Sequence, residues 1–181
     1  TTDGTGNVSG LSYRQIKSLD AGVKFSPVYT GERIPSLREV CQALKGRILL
    51  NIELTNYGTG LDPLPQRVAE IISDNKMVDQ VLISSFNPYN LVRYHKYSPE
   101  TELALLIEPN FRSGIFSLIF GKAFSITSLH PHYSQLNDVS MNRYHKRFSR
   151  INSWTINSEE DMAAALKLGV HGIITDYPEK A

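Results

Sequence analysis

The feature that most constrains the fold of this sequence is a regular alternation of short apolar runs with segments of helical spacing. Strands are predicted at six runs: Arg47–Leu54, Gln80–Ser85, Glu102–Ile107, Phe124–Leu129, Arg150–Ile156 and Gly172–Thr175. Helices are predicted at Tyr13–Leu19, Leu37–Leu44, Pro65–Asn75, Pro88–Tyr97, Asp138–Phe148 and Ser158–Leu168, and a looser apolar segment at Asn110–Lys122 is interpreted as a further helix. Apolar strands that alternate with helices indicate an α/β fold with a parallel sheet buried on both faces.

Such a sheet can be open and doubly wound, or closed into a (β/α)8 barrel. Gly58 and Gly60 follow the first strand, but neither GxGxxG nor GxxxxGK[ST] is present, which argues against a nucleotide-binding open sheet. A closed barrel needs eight strands and typically about 250 residues. This chain has 181 residues. We therefore expect residues 1–181 to form a single but partial barrel domain.

Composition narrows the possible functions. The 19 Lys and Arg residues nearly balance the 18 Asp and Glu residues, so no basic field would attract nucleic acid. The longest apolar stretch, Ile115–Phe120, is too short to cross a bilayer. The one Cys, Cys41, is expected to be a small buried residue. The chain begins at Thr1 without Met, which leaves a preceding targeting segment open. A cytoplasmic location is favoured.

Unusual residues stand at the carboxyl ends of the predicted strands, where barrel enzymes carry their active sites. They are Glu53, Phe86, His130, Trp154 and Asp176. Burying the carboxylate of Glu53 in an apolar strand is costly without a partner. That partner could be a hard cation with oxygen ligands or a Lys or Arg on a neighbouring strand, and both stay open. Trp154 could be a core residue or a ligand wall, and His130 a structural His. Asp176 is typical of a turn.

Several motifs together resemble glycerophosphodiester phosphodiesterases. In chain order they are TTDGTGNVSGLS, FSPVYTGERIPSLREV, NIEL, ISSFNPYNL, LHPHY, SWTINSEEDM and LGVHGIITDYP. Their order and spacing agree over essentially the whole chain, which is identified as a member of this family. The resemblance implies a TIM barrel of the phospholipase C-like phosphodiesterase type, with strands three to eight present and the start of the barrel absent.

The resemblance also implies a reaction and a site. Members of the family hydrolyse glycerophosphodiesters to glycerol 3-phosphate and an alcohol, with two His as general acid and base. They use one divalent cation, Mg²⁺ or Ca²⁺, held by three carboxylates. By this resemblance Glu53 is the third carboxylate, Trp154 borders the substrate, and Phe86 and His130 are further substrate contacts. The catalytic His pair is expected before Thr1, so this chain alone is expected to be inactive.

The sequence departs from the family pattern at two sites, and other functions stay open. Thr55 stands where a Lys is frequent, and His171 stands where Asp is usual. The variable segment from Phe111 to Gly121 is expected to be a buried helix, or else a segment that covers the pocket or touches lipid. The expected substrate is a small glycerophosphodiester or a lysophospholipid. The alternatives are a truncated or inactive binding relative and another lipid phosphodiesterase of the same barrel type.

Overall fold

A computed structural model describes residues 2–56, 62–109 and 125–181. The chain divides into an N-terminal unit, residues 1–44, and a sheet unit, residues 45–181. The predicted segments around Gly58 and Gly60, and between Asn110 and Lys122, lie outside the described residues, as does the apolar stretch Ile115–Phe120. No helix among the described residues has the length and apolar character needed to cross a bilayer.

The N-terminal unit contains two helices, α1 (Tyr13–Ser18) and α2 (Leu37–Leu44). The helix α1 begins with a reciprocal cap, in which the Gln15 backbone N–H donates to the Ser12 hydroxyl and the Gln15 side chain accepts from the Ser12 N–H. Ser36 and Glu39 make the same pair of bonds at the start of α2. Such caps satisfy N–H groups that have no partner inside the helix, which is why both helices begin where the sequence predicts.

The sheet unit is a single parallel sheet of six strands among the residues described. The strands are β1 (Leu50–Glu53), β2 (Val81–Ser85), β3 (Glu102–Ile107), β4 (Ser128–Pro131), β5 (Arg150–Ser153) and β6 (Gly172–Ile173). The helices are α3 (Leu64–Asp74), α4 (Pro88–His95), α5 (Asp138–His145) and α6 (Glu159–Lys167). Each strand pairs with the next one along the chain, in the order β1-β2-β3-β4-β5-β6.

This strand order decides between the two architectures left open by the sequence. A doubly wound sheet reverses its strand order at a switch point, whereas a barrel adds each strand beside the previous one. The observed order has no reversal, so the sheet is a curled, incomplete (β/α)8 barrel, as predicted. In the part of the chain that the structure describes, β1 and β6 do not pair with each other and form the two edges.

The apolar core lies between the sheet and its helices. Fully buried strand residues such as Ile83, Leu103 and Ile151 alternate with residues that face the inside of the curl. Leu91 and Tyr94 of α4 are equally buried, so the sheet is covered as the apolar strand pattern predicts. Cys41 of the N-terminal unit is also buried, as predicted, and burial raises the pKa of its thiol.

Strand boundaries differ from the sequence prediction where pairing, not side-chain character, sets them. The strand predicted from Arg47 begins at Leu50, because Leu50 is the first residue opposite β2, at Val81. The strand predicted at Phe124–Leu129 is instead Ser128–Pro131. Ser125 has a φ of 57°, in the left-handed region, which an extended strand does not allow. The last two strands, β5 and β6, are also shorter than predicted, because their paired residues end at Ser153 and Ile173.

Candidate active site

Three of the predicted site residues line one cavity at the carboxyl ends of the strands. The cavity has a volume of about 190 Å³, and its described lining residues are Asn51, Glu53, Phe86, Leu106, Trp154, Thr155 and Ile174. Strand geometry explains this grouping, because alternate residues of a strand share a face and parallel strands end at the same edge. Glu53, at the end of β1, lies in register with Ser84 of β2, two residues before Phe86.

Two aromatic rings form a wall of this cavity. The rings of Phe86 and Trp154 meet edge to face, with centroids 5.3 Å apart and an interplanar angle of 84°. The ring of His132 also meets Trp154 edge to face, with centroids 5.0 Å apart and an interplanar angle of 86°. Edge-to-face contacts fix the orientation of each ring relative to its neighbour. The wall therefore presents apolar surface in a defined direction beside Glu53.

Hydrogen bonds also hold Trp154 in place. Its indole Nε1–H donates to the carbonyl oxygen of His130 at 2.8 Å. Its backbone N–H donates to the carbonyl of Pro131 at 3.2 Å, and its carbonyl accepts from the N–H of Tyr133 at 2.7 Å. A Trp that is bonded at both the ring and the backbone has little freedom to turn, so the aromatic wall is formed without a ligand.

His130 occupies a different position from the three cavity residues. It is fully buried and is not among the described residues that line the cavity. Burial, and secondarily the charge of Arg150, lower its pKa from 6.5 to about 4. Its Nε2 lies 3.1 Å from the side-chain amide nitrogen of Asn152. A neutral ring can accept a hydrogen bond from that amide, which agrees with the lowered pKa. The structure thus makes His130 a support of Trp154, through its carbonyl.

A charged pair occupies the opposite end of the same sheet face. Arg150 and Glu102, the first residues of β5 and β3, form an ion pair with Nε and Oε1 3.1 Å apart. The hydroxyl of Ser128 also donates to Glu102. Sequence reasoning missed this pair. Its signal was a charge at the first position of two predicted strands, but only the strand register shows that the two side chains meet.

A second network anchors the loop that follows Glu53. The hydroxyl of Ser85 donates to the carbonyl of Leu54 at 2.7 Å. The side-chain amide of Asn90, a fully buried residue, donates to Oδ1 of Asn56 at 2.6 Å, and the amide of Asn56 donates to Asp62. These bonds tie β1 and its loop to β2 and α4. They were not predicted, although the motif ISSFNPYN contains both Ser85 and Asn90.

The other residues singled out in the sequence lie outside the cavity lining, among the residues described. Asp176 is exposed, and its Oδ2 accepts from Asn157 Nδ2 at 2.9 Å while its backbone N–H donates to Asn157 Oδ1 at 3.0 Å, which fits the predicted turn. His171 is exposed, and its Nδ1 accepts from the N–H of Ile151 at 3.1 Å. Thr55, at the frequent Lys position of the family, is exposed on the stretch that follows β1.

Glu53 fits a hard divalent cation in its chemistry, because Mg²⁺ and Ca²⁺ prefer carboxylate and other oxygen ligands. It fits only as part of a ligand set, since such ions take about six or more oxygens and one carboxylate offers at most two. Within residues 2–56, 62–109 and 125–181, no group of three or more His, Cys, Asp or Glu side chains is placed to hold a metal. Glu53 can therefore supply one ligand position and orient it toward the aromatic wall.

Comparison with known proteins gives a consistent assignment. The family described as the glycerophosphoryl diester phosphodiesterase family matches residues 1–180. A glycerophosphodiester phosphodiesterase from Caldanaerobacter subterraneus subsp. tengcongensis is 35% identical over 181 residues, which cover 99% of this chain and 73% of that protein. One from Bacillus altitudinis is 31% identical, with 100% and 74% covered.

Solved structures show the same fold. An Oleispira antarctica phosphodiesterase in complex with the product sn-glycerol-3-phosphate superposes with a TM-score of 0.79 at 22% identity, over 99% of this chain and 72% of that one. A glycerophosphodiester phosphodiesterase from Agrobacterium tumefaciens gives a TM-score of 0.81 at 21% identity, over 99% and 74%.

Proposed function

The chain belongs to the glycerophosphoryl diester phosphodiesterase family, and from this premise we propose how its residues serve the hydrolysis of glycerophosphodiesters to sn-glycerol 3-phosphate and an alcohol. In the net reaction the P–O bond to the alcohol breaks, phosphorus gains an oxygen from water, and the alcohol oxygen gains a proton. The observation that carries the proposal is that Glu53, Phe86 and Trp154 line one cavity at the carboxyl ends of the strands. The family match spans both units, which supports a single domain over residues 1–181.

Glu53 is proposed as a ligand of the divalent cation on which this family generally depends. We propose Mg²⁺ or Ca²⁺, because a carboxylate is a hard oxygen ligand. A bound cation would stabilise the negative charge that develops on the phosphoryl oxygens. The role of Glu53 is to fix one ligand position at the end of β1, and the hydrogen bond from the Ser85 hydroxyl to the carbonyl of the neighbouring Leu54 keeps that strand end in place.

Trp154 and Phe86 are proposed as the wall that packs against the carbon skeleton of the substrate and keeps water from that side. The ring of Trp154 is already held by His130 and Phe86, so ordering it on binding costs little conformational entropy. His130 is proposed to act as a support of this wall. A general acid or base needs a pKa near the working pH and access to the substrate, and a fully buried His with a pKa of about 4 has neither.

The test uses the full-length gene product, with release of glycerol 3-phosphate from glycerophosphoglycerol as the readout. We expect EDTA to abolish the release and added Mg²⁺ or Ca²⁺ to restore it. We expect Glu53→Gln to lower kcat/KM by more than about 100-fold, because one preorganised electrostatic contact to a developing charge is worth about 3 to 4 kcal/mol. The matched control is Glu160→Gln, the same change on helix α6.

Two outcomes would contradict the proposal. Wild-type activity in Glu53→Gln would show that this carboxylate holds no essential cation. Hydrolysis of phosphodiesters that lack a glycerol group at an equal rate would favour another lipid phosphodiesterase.

We also propose that residues 1–181 expressed alone release no glycerol 3-phosphate, since the family resemblance puts the catalytic His pair outside them. Turnover by the 181-residue chain would refute this.

A further inference from the structure

The N-terminal unit carries a cavity of its own, apart from the residues discussed above. Its volume is about 300 Å³, and its described lining residues are Ala21, Gly22, Phe25, Tyr29 and Glu32. Two aromatic rings and a carboxylate thus face one space. This combination of groups is the one by which proteins recognise quaternary ammonium ions, because a ring face carries negative charge and a carboxylate completes the attraction.

The two rings stand as a corner. The centroids of Phe25 and Tyr29 are 5.6 Å apart, and the ring planes meet at 50°. Within residues 1–181, Phe25 is 83% exposed and Tyr29 is 48% exposed, so both rings present surface to this cavity. A cation within about 6 Å of a ring centroid is attracted by the ring. A ligand cation in this corner can therefore contact both rings at once.

The carboxylate of Glu32 has no hydrogen bond or ion pair to another side chain among the residues that the structure describes. Its backbone is fixed, however, because its carbonyl accepts from the N–H of Ala21 at 2.9 Å and its N–H donates to the carbonyl of Tyr29 at 3.2 Å. Glu32 is therefore held at the rim of the cavity by its backbone while its charge remains available. A cationic ligand would supply the missing counter-charge.

Hydrogen bonds within the chain fix the loop of residues 20–33 that forms the cavity. The carboxylate of Asp20 accepts from the N–H groups of Gly22 and Val23, each at 2.9 Å, and of Gly31 at 2.6 Å. These bonds lower the pKa of Asp20, and the bond from Gly31 has the largest effect. The carboxylate therefore remains ionised and bonded at neutral pH. Asp20 also pairs with Arg33 across an antiparallel bridge. One carboxylate thus joins both ends of the loop.

Gly22 shows how closely the floor of the cavity is packed. A Cβ at this position would lie 2.0 Å from the carbonyl oxygen of Tyr29 and 2.6 Å from its Cβ. Only glycine lets the chain approach Tyr29 this closely, which fixes the backbone that carries the ring. A preformed site loses less affinity to ordering than a loop that must fold around its ligand.

We propose that this cavity binds an organic cation of the quaternary ammonium class, with a trimethylammonium group between Phe25 and Tyr29 and its charge beside Glu32. Choline and tetramethylammonium have this chemistry, and their binding does not depend on the function proposed above.

Binding is measured on the full-length protein, with ligands that contain no phosphodiester bond, so that no turnover intervenes. The probes are tetramethylammonium and choline, and the control ligand is 3,3-dimethylbutan-1-ol, which has the shape of choline without its charge. Ligand-observed NMR titration gives each affinity. We expect choline to bind at least fivefold more tightly than the neutral alcohol, and we expect added salt to weaken only the charged ligands.

Substitutions of exposed residues test each wall without threatening the fold. Tyr29→Leu and Phe25→Leu should each weaken tetramethylammonium binding by roughly two- to fivefold, whereas Tyr29→Phe should retain it, because a phenyl ring keeps the attractive face. Glu32→Gln should weaken choline and leave the neutral alcohol unchanged. The matched control is Val28→Ala, a change at an 85% exposed position outside the cavity lining.

The outcomes separate this proposal from the proposed function. Equal binding of choline and its neutral isostere, or unchanged tetramethylammonium binding in both Leu variants, overturns the cation site. Absence of diester hydrolysis, with choline binding intact, overturns the phosphodiesterase proposal and leaves the cation site standing.

Discussion

The hydroxyl of Ser85 offers a sharp test of how the end of β1 is positioned. Ser85 is fully buried at the end of β2. Its hydroxyl donates to the carbonyl of Leu54 at 2.7 Å and accepts from the N–H of Asn87 at 3.1 Å. Leu54 directly follows Glu53 in the chain and is itself 1% exposed. The change Ser85→Ala therefore removes one hydroxyl and leaves a buried carbonyl without this donor.

The magnitude follows from the burial of the groups involved. Leaving a buried polar group unsatisfied costs about 1 to 3 kcal/mol. For a chain of this size, each kcal/mol shifts the melting temperature by about 2 to 4 °C. We therefore expect Ser85→Ala to lower the free energy of unfolding by about 2 kcal/mol and the melting temperature by about 4 to 8 °C. We also expect weaker divalent-cation binding, because the carbonyl that follows Glu53 loses its anchor.

The measurement is urea unfolding of the full-length protein, together with titration of its activity with Mg²⁺ or Ca²⁺. Ser73→Ala on the exposed face of α3 is the matched control and should change the stability by no more than about 0.5 kcal/mol. A double-mutant cycle with Asn90→Ala should be non-additive, because Asn90 lies in the same network, with its amide 3.4 Å from Ser85 Oγ. Wild-type stability in Ser85→Ala, or full additivity in the cycle, would refute this reasoning.

Two further predictions concern the aromatic wall and its support. Trp154→Phe keeps a ring but removes the 2.8 Å hydrogen bond to the carbonyl of His130, so we expect KM to rise about two- to tenfold with a smaller change in kcat. We expect Trp154→Leu to raise KM further. Equal KM in the Phe and Leu variants would argue against ring packing. His130 has a folded pKa of about 4, below its ordinary 6.5, so the unfolded chain binds the proton more tightly and stability is lost as the pH falls from 6.5 toward 4. Each pKa unit is worth about 1.4 kcal/mol, so this group contributes about 3 kcal/mol above pH 6.5, and the stability of His130→Gln should fall less steeply in this window of pH.

The sequence predicted the features of the fold that depend on local pattern. Five of the six strands lie within their predicted apolar runs, the fourth overlaps its run in part, and the helices whose residues the structure describes lie where the capping residues and helical spacing indicate. Strand limits were less predictable, because a strand such as β1 begins where a partner is present and not where its apolar run begins. The shift of the fourth predicted strand to Ser128–Pro131 has a similar origin, since the left-handed backbone of Ser125 is not visible in the residue type.

Some contacts of the candidate site could likewise be predicted from the sequence, and others could not. Glu53, Phe86 and Trp154 could be placed together from sequence, because parity along a strand and the common carboxyl edge of a parallel sheet are enough to bring them to one cavity. The ion pair of Glu102 with Arg150 could not, because β3 and β5 are not neighbours and β4 lies between them. Contacts across an intervening strand depend on the curl of the sheet, which a linear pattern does not encode.

Burial and the charge of Arg150 explain why His130 is neutral at neutral pH. His130 lies between the charged end of the sheet face, where Arg150 pairs with Glu102, and the carboxyl end, where its carbonyl holds Trp154. A protonated ring here would be buried near the Arg150 charge, and both effects lower its pKa. At neutral pH the ring is therefore uncharged, and burial of His130 keeps it so without removing the hydrogen bond that its carbonyl accepts from Trp154.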